Sequence, residues 1–84
     1  MFTTMMYVYV IRSLKSGIHY VGMAKDVKVR LKEHNAGKAK FTKCHRPWEL
    51  IYSEESEDFE TGRKHEKYLK SSAGKRWLKK EDII

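Results

Sequence analysis

One cysteine, Cys44, stands in 84 residues, so no disulfide can form within the chain and a secreted, disulfide-stapled scaffold is excluded. Long hydrophobic runs are missing as well. The opening MFTTMMYVYVIR is apolar over about ten residues, half of the roughly 20 that a membrane-spanning helix needs. That stretch has neither a basic leader nor a small-residue cleavage site, which argues against a secretory signal. Repeats, Pro- or Gly-rich linkers and low-complexity segments are lacking. A reducing, cytoplasmic setting and one domain over residues 1–84 are therefore expected, with no membrane partner. Acidic residues are outnumbered, 11 against 18 Lys and Arg, for a net charge of +7. Such a balance favours an anionic partner, most often nucleic acid, although it also serves simple solubility. Lys38, Lys40, Lys43 and Arg46 crowd one segment, and Lys75, Arg76, Lys79 and Lys80 crowd another.

What is present reads as a small α+β domain. Residues 6–12 (MYVYVIR) are apolar on both alternating faces, as in a central strand covered on each side. Turn residues at 13–17 lead into a second strand over 18–23, so a hairpin is expected. Asp26 is a suitable N-cap and Gly37 a suitable C′ residue, with a helix between them. A basic loop spans 37–47, a third strand 48–53 and a second helix 58–70. Residues 71–74 are expected to break the chain before a short basic helix over 75–80. The order is ββαβαα: a three-stranded antiparallel sheet flanked by helices.

Helical periodicity then isolates charged residues in unexpected positions. Val27, Arg30, Leu31 and His34 fall on one stripe, and the two aliphatic members make it the inward one. In the second helix Phe59, Gly62, Glu66 and Leu69 form the corresponding stripe, with a carboxylate in its middle. An inward charge is costly unless it is paired or ligating. A structural reading pairs Arg30 with Glu66 over a tyrosine-rich core containing Tyr9 and Tyr20. A functional reading brings all five together as one site.

At these residues the chain resembles the GIY-YIG nuclease superfamily, in particular its small single-domain bacterial members and the N-terminal catalytic domain of UvrC-type repair excinucleases. Tyr7-Val8-Tyr9 and Tyr20-Val21-Gly22 stand for the two signature tripeptides, ten residues apart, and YVGMAKDVKVRLKEH, HRPWELIY and RKHEKYLK extend the likeness. The resemblance implies a divalent-metal-dependent DNA endonuclease acting in DNA repair, selective for structure rather than sequence. It implies Tyr9 and Tyr20 beside the scissile phosphate, Arg30 as catalytic arginine, and Glu66 as ligand of a single Mg²⁺ (or Mn²⁺) ion. His34 occupies a position where members carry His or Tyr, and Gly22 leaves room beside the tyrosines. The DNA would be branched or nicked, with RNA left open, and Lys38, Lys40, Lys43 and Arg46 would contact its backbone. The sequence departs from the family at Tyr7, where the motif has glycine, and at Met23, where repair excinucleases have lysine. No asparagine follows Glu66. A catalytically weak or inactive nucleic-acid-binding module is the alternative those departures raise.

Overall fold

The protein is described by a computed structural model over residues 5–84, so the first four residues of the apolar opening stretch, and of the domain expected over 1–84, lie outside the described residues. The elements are β1 (Met6–Ser13), β2 (His19–Ala24), α1 (Val27–Asn35), α2 (Lys40–Lys43), β3 (Trp48–Ser56), α3 (Phe59–Lys70) and α4 (Ser72–Lys80). The expected ββαβαα order holds, with one turn of helix added inside the basic segment. All pairing is antiparallel in the order β2-β1-β3, which makes β1 the central strand. Among the described residues no helix is long and apolar enough to cross a membrane.

The alternation of β1 divides the interior in two. Val8 and Val10 face α3 and α4, meeting Leu69 and Leu78 with Val21, Met23 and Trp77 around them. Tyr9 and Ile11 face α1, meeting Trp48, Val27 and Leu31. Each fully buried aliphatic side chain contributes roughly 1.5–3 kcal/mol of transfer free energy. β3 serves both layers because its register shifts: Val10 pairs with Tyr52 but Ile11 pairs with Leu50, leaving Ile51 as an extra residue. The bulge reverses the alternation, so Tyr52 packs in the α3/α4 layer and Trp48 in the α1 layer. Both tryptophans are therefore packing residues. Trp48 is 3% exposed, and Trp77 meets Tyr52 edge-on.

The helix caps follow the sequence. Asp26 accepts from the Val29 amide, and Asp58 from the Thr61 amide. Two helix details differ from expectation. Phe59 does not join the inward stripe; it is exposed, because Gly62 already packs on Met6 and Ser56 at the strand ends and one turn earlier lies past the sheet. The break between α3 and α4 is one residue rather than four. Ser71 ends α3 and also caps α4, its hydroxyl accepting from the Gly74 amide at 3.2 Å. Gly74 belongs to α4, and a Cβ there would lie 1.9 Å from the Tyr68 carbonyl oxygen and 2.5 Å from Leu69 Cα. Glycine is present for that close approach and not as a breaker.

A sharp contrast between two glycines follows. At Gly62 a Cβ would meet the flexible Met23 Sδ at 3.3 Å, so Gly62→Ala stays within about 1 kcal/mol of wild type, as helix propensity offsets crowding. Gly74→Ala meets backbone that cannot yield and loses on the order of 3 kcal/mol. Urea unfolding midpoints of the two variants check this, and equal stabilities would contradict it.

Candidate functional site

The site is built on the α1 face of the hairpin. Tyr9 lies opposite Gly22 on β2, and Tyr20 lies opposite Ile11, so the two tyrosines are diagonal neighbours on one face. The ring of Tyr9 leans across the strand gap into the space over Gly22. A Cβ on Gly22 would stand 2.4 Å from the Tyr9 hydroxyl, so this position accepts the phenol only because it carries no side chain.

Tyr9 is 2% exposed and His34 is fully buried, and the Tyr9 hydroxyl meets His34 Nε2 at 2.8 Å. The other imidazole nitrogen, Nδ1, meets Thr42 Oγ1 at 2.7 Å. Burial pushes the Tyr9 pKa up to about 12; the Arg30 guanidinium opposes this, while Tyr20 and Glu66 add to the rise. Burial also lowers the His34 pKa below the ordinary histidine range, reinforced by Arg30 and opposed by Glu33. Near neutral pH the phenol is therefore protonated and the imidazole neutral. The Thr42 hydroxyl donates to the Ala39 carbonyl at 3.4 Å, so it accepts the Nδ1 proton, and Nε2 is left to accept from the Tyr9 hydroxyl.

Around this buried chain stand the accessible groups. Tyr20 is half-buried, with its ring edge-on to His34 at 5.3 Å and stacked on Phe41 at 6.1 Å. Arg30 donates through Nη1 to Glu33 Oε1 at 2.9 Å, and its pKa is raised chiefly by that bond and further by Tyr9. Glu66 does not pair with Arg30. It stands on α3, in the layer across the sheet, with Lys70 Nζ at 3.3 Å and Arg63 Nε at 3.7 Å. Its side chain is only 14% exposed, and its charge is the smallest of the influences on Tyr9. The structure thus gathers Tyr9, Tyr20, Arg30 and His34 closely and brings Glu66 within electrostatic reach. The buried Arg30–Glu66 pair of the structural reading is not formed.

Sequence reasoning missed two participants. Thr42, fully buried, sits on α2 within the supposed loop, where a lone threonine among lysines gives no periodic signal. Glu33 lies off the stripe of Val27, Arg30, Leu31 and His34, yet it is the partner of Arg30. The turn at α2 is fixed by Trp48, whose indole N–H donates to the Thr42 carbonyl at 2.8 Å, and by Asn35, which bonds both backbone groups of Trp48. That turn places Phe41 on Tyr20 as it places Thr42 on His34. Lys38, Lys40, Lys43 and Arg46 are all exposed on the same segment, beside the tyrosine site.

Among the described residues no three His, Cys, Asp or Glu side chains are grouped to hold a metal ion. Glu33 is taken up by Arg30, and Glu66 is the mostly buried carboxylate within electrostatic reach of Tyr9; a single carboxylate of that kind suits a magnesium-type ion that keeps most of its waters.

This geometry belongs to a catalytic-domain class. Residues 5–81 match the GIY-YIG catalytic domain, and the chain belongs to that family of nuclease domains. Its relatives are small members of it. A UPF0213 protein of Staphylococcus saprophyticus is 36% identical over 74 residues, covering 87% of this chain and 89% of its own. One from Staphylococcus aureus is 39% identical over 66 residues, covering 77% and 79%. The solution NMR structure of a UPF0213 protein from Bacillus halodurans matches with a TM-score of 0.53 and 32% identity, covering 88% of this chain and 81% of that one.

The buried imidazole gives the protein a pH signature. Because the folded pKa of His34 lies below its ordinary 6.5, unfolding takes up a proton at acid pH. The stability this group contributes is complete above about pH 6.5 and is lost as pH falls through the depressed folded value. The urea midpoint of the wild type is expected to drop between pH 7.5 and 5.5. His34→Gln, which cannot take up that proton, should show a shallower drop, and parallel curves would refute the assignment.

Proposed function

We propose that the protein is a divalent-metal-dependent DNA endonuclease, hydrolysing phosphodiester bonds with one Mg²⁺ or Mn²⁺ ion and recognising backbone and shape rather than base sequence. The observation that carries the reading is the bonded chain Tyr9–His34–Thr42 lying beneath an accessible Tyr20 and Arg30, in a chain of this family.

Each residue has a role that its surroundings support. Arg30 uses one arm on Glu33 and keeps its other donors for phosphate oxygens, stabilising the charge that develops there. Tyr20, half-buried rather than enclosed, is the phenol that can touch the attacking water. Tyr9, with its pKa up at about 12 and its proton committed to His34, orients the site rather than serving as its base. His34 is neutral and holds that proton bond, and Thr42 fixes which ring nitrogen accepts it. Glu66 would hold the ion, which supplies Lewis-acid stabilisation of the phosphate when bound. Lys38, Lys40, Lys43 and Arg46 would follow the DNA backbone beside Tyr20. Branched or nicked DNA, repair and a cytoplasmic location are parts of the same proposal.

A specific observation favours the alternative of a binding module that cleaves poorly. Lys70 and Arg63 already compensate the Glu66 carboxylate, which weakens its hold on a cation. Cleavage of supercoiled plasmid and of branched duplexes in Mg²⁺ or Mn²⁺ separates the two. Glu66→Gln and Arg30→Ala are each expected to slow cutting about 10²–10³-fold. Cutting at one rate by wild type and both variants would mark a contaminant and end the nuclease reading. Salt-sensitive binding without cutting would establish the module.

A further inference from the structure

The second basic cluster takes no part in the site described above. Lys75 and Lys79 lie one turn apart on α4 and edge a cavity of about 580 Å³ between that helix and the free edge of β2. Its apolar wall is made by Ile18, Val21, Leu78 and Ile84. Lys70 of α3 and His19 complete the rim, and among the described residues no acidic side chain lines it. Lys75 and Lys79 have no carboxylate within ion-pair distance among the described residues. The crowding of positive charge is felt at His19: burial lowers its pKa first, and Arg12, Lys75 and Lys79 lower it further. Cationic groups converging on an apolar recess are complementary to a ligand that carries negative charge on an apolar body.

We propose that this cavity receives one unpaired nucleotide of a single strand, its phosphate on Lys70, Lys75 and Lys79 and its base against Ile18, Val21 and Leu78. The inference rests on the nucleic-acid reading given above and names the strand form that the protein handles. The volume falls in the usual range of small-molecule sites, roughly 300–1,000 Å³, which suits a nucleotide and is too small to take in a duplex. Among the described lining residues His19 is the one ring and the rest of the wall is aliphatic, so the base packs on unspecific surface and recognition is tolerant of sequence. Single-strand sites combine rings on which bases stack with a cationic track for the backbone, and here His19 stands beside Lys75 and Lys79. Lys70 joins the two regions, since it lines the cavity and stands 3.3 Å from Glu66. The cavity therefore lies next to the Glu66 carboxylate.

The test is binding in EDTA, where no metal-dependent cutting occurs, using a fluorescein-labelled twelve-residue oligothymidylate and a duplex of equal length. Lys75→Glu/Lys79→Glu is compared with Lys64→Glu/Lys67→Glu, which makes the same change in net charge at exposed positions of α3 outside the cavity. The cavity variant is expected to weaken single-strand binding about tenfold more than the control. It should also reduce the slope of log affinity against log salt by about 1.4, two phosphate contacts at roughly 0.7 each. In wild type, the oligonucleotide should raise the pKa of His19 as followed by NMR. Equal weakening by the two variants would overturn the cavity while leaving the nucleic-acid reading in place. Failure of wild type to bind either DNA at low salt would overturn that reading itself. A polyglutamate peptide bound as tightly as the oligonucleotide, and lost in the same variant, would assign the cavity to an acidic protein instead.

Discussion

The hydroxyl of Tyr9 and the imidazole of His34 meet at 2.8 Å in a place closed to water, and the local structure is arranged to keep them there. Two polar side chains buried together are costly unless each bond is made. Gly22 is needed because any side chain would occupy the volume of the phenol. α1 is needed to carry His34 into the layer, and α2 is needed to bring Thr42 to the far nitrogen. Trp48 and Asn35 in turn hold α2 against β3. The chain of dependence therefore runs from one hydrogen bond out to the shape of the whole α1 face.

Much of this fold was legible because it rests on periodicity and caps. The doubly apolar β1 had to be central, and Asp26 and Asp58 marked the helix starts that the structure shows. What could not be read depends on contacts distant in sequence. The extra residue at Ile51 is one more apolar residue in an apolar strand, yet it decides which core receives Trp48. Gly74 has the look of a breaker, and only the return of α4 onto Tyr68 and Leu69 gives it its helical role. The single turn at Lys40–Lys43 is too short for any period to reveal.

The candidate site divides along the same line. Arg30 and His34 announced themselves as polar interruptions of an apolar stripe, and the structure groups them with both tyrosines. Periodicity says which face a residue takes, not its partner, so it gave no sign that Arg30 would choose Glu33, three residues along its own helix, over Glu66. Nor could it show that Glu66 would rest on the opposite layer between two cations. The chain belongs to the GIY-YIG family, and the roles proposed for these residues follow from how each is buried and bonded.

The site depends most on the direction of one proton bond, and nitrogen chemical shifts of the His34 ring report it directly. At pH 7.5 the prediction is a neutral ring with its proton on Nδ1 and an unprotonated, hydrogen-bonded Nε2. Thr42→Val should disturb that tautomer, and Thr42→Ser should restore it. A proton on Nε2, or a doubly protonated ring at that pH, would contradict the arrangement of Tyr9, His34 and Thr42 on which the site is built.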